Sequence, residues 1–252
     1  MLKSLFLKLI GVLSVFWLLI PKRARNFFIT GLLMLESRGR RPADGLRRIL
    51  LIKDNLEWII NERALAYGEG QHPKHRLTNY HDFFIQRITD GDSVLDVGCG
   101  YGAVAHSIAL SRPLSRVVGI DLYEPRLLIA QNLKTPSNLE FILGDATVAL
   151  PEGKWSVLIL SNILEHIANR ENFLRNLLHT SKTSRVLIRV PLFERDWQMP
   201  LRRELGVNYF SDEDHKVEHQ LKEFYLEIEK ADLKAVEVLT LWGEIWADCR
   251  VQ

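Results

Sequence analysis

Val94-Leu95-Asp96-Val97-Gly98-Cys99-Gly100-Tyr101-Gly102-Ala103 passes from a short apolar strand through three alternating glycines into the start of a helix. Glycine lets the chain turn sharply off a strand and lets a ligand approach where a side chain would collide. In open α/β sheets ligands sit beyond the carboxyl ends of the strands, where these glycines lie. The spacing is G-x-G-x-G with Asp96 two residues ahead of the first glycine, whereas a dinucleotide fold prefers G-x-G-x-x-G and a pyrophosphate at the helix start.

From residue 93 onward, short β-branched runs alternate with helical patterns. Val94–Val97, Arg116–Asp121, Leu139–Gly144, Val157–Ser161 and Arg185–Val190 read as strands. Ala103–Leu110, Glu124–Leu133, Glu171–Thr180 and Glu218–Ala231 read as helices, and Ala235–Trp242 with Glu244–Val251 as a closing hairpin about Gly243. Alternation of this kind predicts a parallel sheet covered by helices. A long excursion, 192–214, follows the fifth strand.

The glycine turn resembles motif I of the class I S-adenosylmethionine-dependent methyltransferases, and the resemblance extends over residues 67–250. Val117-Val118-Gly119-Ile120-Asp121 is similar to that family's second strand, whose terminal acid accepts hydrogen bonds from the cofactor ribose. Leu143-Gly144-Asp145-Ala146 is similar to its third-strand motif, in which the acid meets the adenine amino group. Ser161-Asn162-Ile163-Leu164-Glu165-His166 resembles the fourth-strand end that closes the pocket beneath the sulfonium. Asp96 stands where the family orders the glycine loop and approaches the methionine amino group. The resemblance implies a Rossmann-like α/β fold with a mostly parallel seven-stranded sheet, helices on both faces and a C-terminal antiparallel hairpin. It implies S-adenosyl-L-methionine as cofactor, held by Asp96, Gly98, Cys99, Gly100, Gly102, Asp121, Leu122, Asp145, Ala146 and Ser161. The family's Pro-Gly-Gly turn before the fifth strand is replaced here by Thr180-Ser181-Lys182-Thr183-Ser184.

Methyl transfer from a sulfonium is an in-line displacement, so much of the rate comes from positioning the acceptor. A base is needed mainly for a hydroxyl acceptor, and histidine suits proton abstraction near neutrality. His215 is the first candidate, since it follows the excursion where the family places acceptor-binding elements; His166 is the second, and His219 is a further one. Phe193, Trp197, Met199, Tyr209 and Phe210 give the excursion the composition of an apolar lid. Gln71, His72, His75 and Tyr80 precede the glycine turn and are candidates to close over the cofactor or to bind an anionic acceptor.

The chain has 252 residues, 47% of them hydrophobic, enough for one good core with an appendage. The formal charge of +2 hides an asymmetry: residues 1–50 carry ten Lys/Arg and two acids, and the remainder is net acidic. Leu5–Ile20 is an apolar run with Leu2, Phe6, Leu9, Leu13, Phe16 and Ile20 at helical spacing, followed by Pro21-Lys22-Arg23-Ala24-Arg25 and a second apolar patch, Phe27–Leu35. Sixteen residues fall short of the ~20 that span a bilayer, and the run lacks the small-residue cleavage pattern of a secretory signal. Two greasy segments about a basic turn suggest contact with an anionic membrane surface through residues 1–35, with Trp17 at headgroup level; a helical lid or a dimer interface is the alternative. Asp44 is expected to cap a connecting helix with the stripe Leu46, Ile49, Leu50, Leu56, Ile59 and Ile60, ahead of a loop at Tyr67–His75. The expected organisation is therefore an anchor at 1–42, a connector at 43–75 and a catalytic domain at 76–252.

Cys99 and Cys249 form no motif of zinc spacing, so neither a disulfide framework nor a metal is expected, and a cytoplasmic setting at the inner membrane face is. Nucleic acid is not an expected partner, because the basic residues concentrate in the apolar segment and no Asn-Pro-Pro-Tyr-like motif follows the fourth strand. The order of Tyr67-Gly68-Glu69-Gly70, His72-Pro73-Lys74-His75 and Trp242-Gly243-Glu244-Ile245-Trp246-Ala247 resembles bacterial methyltransferases of surface-glycan assembly, which implies O-methylation of a sugar, including one on a lipid carrier. Leu164-Glu165-His166 also resembles quinone methyltransferases. A membrane-bound assembly subunit that binds the cofactor without turning it over is the reading from another class.

Overall fold

The computed structural model describes residues 2–133 and 135–252, with side chains from residue 9 onward. Two compact units emerge, residues 1–63 with 204–207 and residues 64–203 with 208–252.

The first unit is helical: α1 (Leu2–Leu19), α2 (Lys22–Glu36) and most of α3 (Pro42–Tyr67). Pro21 separates α1 from α2 with extended backbone (φ −54°, ψ 138°), because proline disfavours helical geometry in the residue before it and lacks an N–H to continue the ladder. Trp17 meets Phe28 edge to face at 6.4 Å. No residue of α2 is buried, and Phe27 is 82% exposed. The start of α3 closes against the end of α2: a Cβ on Gly45 would lie 1.9 Å from the Ser37 carbonyl oxygen. Arg48 donates to the Glu36 carbonyl at 2.9 Å and to that of Arg38 at 2.5 Å, satisfying acceptors that a helix end leaves open. The expectation for Asp44 is corrected. The side chain lies within the first turn of α3, paired with Arg47 at 2.8 Å, and Pro42 opens the helix ahead of it. The expected apolar stripe is mostly uncovered as well, since only Gly45 and Leu50 of α3 are buried. No helix of the described residues is long and apolar enough to cross a membrane.

The second unit is the α/β domain. It carries α4 (Lys74–Thr78), α5 (Tyr80–Ile85), β1 (Ser93–Val97), α6 (Ala103–Ser111), β2 (Arg116–Asp121), α7 (Glu124–Asn132), β3 (Leu139–Leu143), β4 (Val157–Ser161), α8 (Arg170–Ser181), β5 (Arg185–Pro191), α9 (Gln198–Leu205, its last residues in the first unit), α10 (Leu221–Lys230), β6 (Leu233–Leu241) and β7 (Glu244–Val251). The sheet order is β3-β2-β1-β4-β5-β7-β6, with β1 to β5 parallel and β7 antiparallel to both of its neighbours. Strand side chains alternate between two cores. Leu95, Val97, Val118, Ile120, Leu158 and Leu160 pack with Phe173, Leu174 and Leu177 of α8 and Phe224 and Ile228 of α10. Val94, Val117, Val157, Ile159 and Leu187 pack on the other face with Phe83 and Phe84 of α5 and Ile108 of α6. The mostly parallel seven-stranded sheet with its antiparallel hairpin is the Rossmann-like α/β architecture that the resemblance implied.

Element limits differ from expectation where side chains are engaged elsewhere. The helix expected from Glu218 begins at Leu221, because Glu218 and His219 are held in ion pairs. In the hairpin, Trp242 belongs to the turn with Gly243 (φ +55° and +77°), the two-residue geometry that matches strand twist, and β6 starts two residues early. The loop expected at Tyr67–His75 yields to α4 at Lys74, so the expected division at 75/76 falls inside a helix. The chain leaves β1 toward β2 and β3, then returns to β4 on the other side. The carboxyl ends of β1 and β4 thus flank the point where strand order reverses, the crevice that ligands use in such sheets.

Candidate functional site

The glycine turn is positioned by β2. Gly98 and Cys99 both donate backbone N–H bonds to the Ile120 carbonyl, at 2.7 and 3.1 Å. Gly98, Gly100 and Gly102 have φ of +67°, +55° and +72°, values that favour glycine over any residue with a Cβ. A Cβ on Gly98 would lie 2.0 Å from Ile163 Cδ1, and one on Gly102 2.3 Å from Phe141, so both are also tightly packed. Gly100 has nothing within 4 Å of that position, so its face of the loop is open. Cys99 Sγ packs toward Gly119, and burial pushes the thiol above its usual range, which makes it inert packing.

Two buried carboxylates end the first two strands. Asp121 accepts the Gly100 N–H at 2.7 Å on one oxygen and the Tyr123 N–H at 2.8 Å on the other. A carboxylate has about four acceptor directions, so each oxygen keeps capacity for a ligand hydroxyl. Leu122, just beyond, is exposed. Asp96 sits on the α5 side of the sheet, and its Oδ2 has no hydrogen-bond partner among the described residues. Burial raises its carboxyl to about 7 against a backbone N–H bond from Ala105, with the Asp121 charge adding to the rise. Asp145 is exposed, its Oδ1 accepting from the Thr147 N–H and hydroxyl at 2.8 and 2.7 Å, and Ala146 is half-buried. Ser161 closes β4 with its hydroxyl accepting from Arg189 at 3.2 Å.

His166 and His215 come together. His166 ends a 3₁₀ turn, Leu164–His166, after β4. The Glu165 carbonyl accepts backbone N–H bonds from Lys216 at 2.6 Å and Val217 at 3.4 Å, tying the His215 segment to that turn. The two imidazoles meet edge to face at 4.7 Å. His215 Nδ1 is 3.0 Å from Glu218 Oε1, which also accepts the Ser211 N–H and hydroxyl, while Arg195 holds the other Glu218 oxygen. Burial opposes the His215 charge, but the Glu218 bond and the carboxylates of Glu165, Glu218 and Asp212 outweigh it and raise this imidazole above its ordinary range. Burial lowers His166, and Asp214, 3.1 Å from its Nδ1, only partly compensates. His219 is elsewhere, its Nε2 3.1 Å from Glu227, which also binds Arg170. The apolar lid expected in the excursion is corrected too. Phe193, Tyr209 and Phe210 form a ring cluster, but Trp197 is exposed and Arg195 bonds the Tyr209 carbonyl.

A third group lies on the α5 face. The register of β5 on β7 sets Arg189 diagonally from Glu244 on one face, and the two form a fork of 2.6 and 2.6 Å bonds. Trp246 Nε1 donates to the same carboxylate at 2.9 Å. The guanidinium lies 3.9 Å from the centre of the Tyr80 ring, and the Tyr80 hydroxyl is 2.8 Å from His75 Nδ1. Burial pushes the Tyr80 phenol up to about 12. His81, 2.7 Å from the Ser107 hydroxyl on α6, is lowered to about 4 by burial together with His75 and Arg189. Of the four candidates ahead of the glycine turn, His75 and Tyr80 join this network, and His72, whose Nδ1 accepts the Lys74 N–H, acts on His75 through its charge. Sequence reading missed Arg189, Glu244, His81 and the carboxyl of Glu165. A charged residue inside the apolar run Leu187-Ile188-Arg189-Val190 was the available signal for the first.

Residues 88–231 match the family described as methyltransferase domain. Ribosomal protein L11 methyltransferase of Burkholderia orbicola is 33% identical over 109 residues, 42% of this chain and 35% of that protein. Ajmaline N-methyltransferase of Rauvolfia serpentina is 28% identical over 109 residues, 41% of this chain and 37% of that protein. The chain thus spans little more than a third of the curated relatives it matches. Among solved structures, magnesium protoporphyrin IX methyltransferase from Synechocystis PCC 6803 with bound SAH superposes with a TM-score of 0.55 at 15% identity, covering 69% of this chain and 83% of that one. A SAM-dependent methyltransferase from Aquifex aeolicus gives 0.57 at 16%, covering 72% and 94%. Open glycine loop, flanking carboxylates, sheet order and family match agree, and the chain belongs to the class I methyltransferase domain family, which uses S-adenosylmethionine.

Proposed function

We propose that this methyltransferase O-methylates a polar hydroxyl acceptor, a sugar or lipid-linked glycan, at the cytoplasmic face of a membrane. The observation that carries the acceptor class is the polar pair His166 and His215 beyond the β4 end, where a quinone would call for a continuous greasy channel.

The residues fit the cofactor. Asp121 has acceptor capacity for ribose hydroxyls, Gly98, Gly100 and Gly102 keep the strand exit open, and the orphaned Asp96 Oδ2 suits an amine. Cys99 and Leu122 would contribute backbone and apolar surface, Asp145 and Ala146 would meet the adenine, and Ser161 would stand on the sulfonium side. When bound, S-adenosylmethionine supplies an electrophilic methyl group on a cationic sulfur. His215, oriented by Glu218, takes the acceptor proton in the way that a fixed imidazole serves as base, and His166 shapes the pocket beside it. The exposed apolar faces of α1 and α2 with Lys22, Arg23 and Arg25 support membrane contact.

Incubating the protein with methyl-labelled cofactor and membrane extract tests this. Label in a lipid-linked glycan is expected. Label in quinone favours the lipid reading, and cofactor retention without transfer favours a non-catalytic subunit.

A further inference from the structure

The cysteine and histidine spacings announce no metal site, yet the fold brings together three candidate ligands from segments about 50 positions apart. Glu165, His166 and His215 each offer a ligand atom, and these three atoms lie within 4.8 Å of one another. Glu165 is wholly buried, and neither of its carboxylate oxygens has a hydrogen-bond partner among the described residues. A buried carboxylate without donors is costly unless it is protonated or faces a cation. His166 Nδ1 also lacks a hydrogen bond, although Asp214 stands 3.1 Å away. His215 has Nδ1 turned to Glu218, which leaves Nε2 for a ligand, and metal-binding histidines are oriented by a carboxylate on the other nitrogen in this manner.

We propose that Glu165, His166 and His215 hold one divalent transition-metal ion. Two imidazoles and a carboxylate suit Mn²⁺, Fe²⁺, Co²⁺ or Zn²⁺ better than Mg²⁺ or Ca²⁺. The role rests on the hydroxyl-acceptor reading above, with His215 as ligand in place of free base. A hydroxyl ligated to the ion loses its proton to water more readily, and its oxygen then bonds the methyl carbon as the sulfur–carbon bond breaks with its electron pair staying on sulfur.

The test uses the full chain, stripped with chelator, titrated with Mn²⁺ by calorimetry and followed by electron spin echo spectroscopy. One equivalent bound, with modulation from imidazole nitrogen, is expected. Glu165→Gln and His215→Gln should weaken Mn²⁺ at least about 10-fold with S-adenosylhomocysteine affinity retained, and the exposed His179→Gln should change neither. Absence of Mn²⁺ binding in protein that binds S-adenosylhomocysteine overturns the proposal, as does a signal from water protons alone, which reads on wild-type protein even if a variant misfolds. Chelator-resistant methyl transfer that still needs His215 overturns it while leaving the acceptor reading intact. Mn²⁺ bound at these residues in a protein that methylates no hydroxyl supports the site and removes the reading.

Discussion

Gly98 and Gly100 share a left-handed backbone but not a packing environment, and this separates two kinds of damage. Gly98→Ala meets both positive φ and Ile163, so a loss of about 1–3 kcal/mol in unfolding free energy is expected by denaturant titration. Gly100→Ala meets only the backbone cost, so its stability loss should be the smaller, while S-adenosylhomocysteine affinity falls because the new methyl group occupies the open side of the loop. Asp96 gives a pH prediction. Its carboxyl is raised from 3.8 to about 7, so the folded protein retains a proton that the unfolded chain has released. The associated stability is complete below about pH 4 and is lost as pH climbs through 7, at most about 4 kcal/mol at ~1.4 kcal/mol per unit. His81, lowered to about 4, acts in the opposite sense, its contribution fading as pH falls from the ordinary imidazole range toward 4. Asp96→Asn should therefore flatten the decline in melting temperature between pH 5 and 8, and an unchanged decline would assign it to other groups.

At the level of strands and helices, the alternation of apolar runs announced the parallel sheet because burial on both faces leaves little room for polar residues. The two carboxylates proposed to hold the cofactor were equally legible, since Asp96 near the end of β1 and Asp121 at the end of β2 stand at fixed offsets from the glycines. What stayed hidden depends on contacts across the sheet. Arg189 and Glu244 are 55 residues apart, and only the β5–β7 register makes them neighbours. Glu165 sits in a Leu-Glu-His run that reads as part of a turn until the 208–217 segment folds against it. The excursion, full of aromatic residues, looked apolar because composition does not show that Arg195 and Glu218 pair beneath it. The Arg189–Glu244 fork yields a prediction at this scale. Arg189→Ala leaves a largely buried carboxylate against Trp246 and removes the cation over Tyr80, so a loss of about 3–5 kcal/mol is expected in chemical denaturation. Arg189→Lys should recover only part of it, since an ammonium cannot form the fork.

For the whole molecule, charge and hydropathy are divided along the chain, with a basic apolar start ahead of an acidic α/β body. Phe27 and Phe28 on α2 are exposed and unburied by the chain itself. The double variant Phe27→Asp, Phe28→Asp should lose co-sedimentation with anionic vesicles while keeping its melting temperature and S-adenosylhomocysteine affinity; retained sedimentation would point to another surface. We propose that cofactor binding depends on the crevice at the strand-order reversal, with Asp121 as its principal acceptor. Titration calorimetry of S-adenosylhomocysteine into the 252-residue chain and into its Asp121→Ala variant measures that dependence. Saturable binding to the wild type at one site, weakened at least about 10-fold in the variant, is the predicted result. A folded wild-type protein that gives no binding heat, or a variant that binds as tightly, would contradict it.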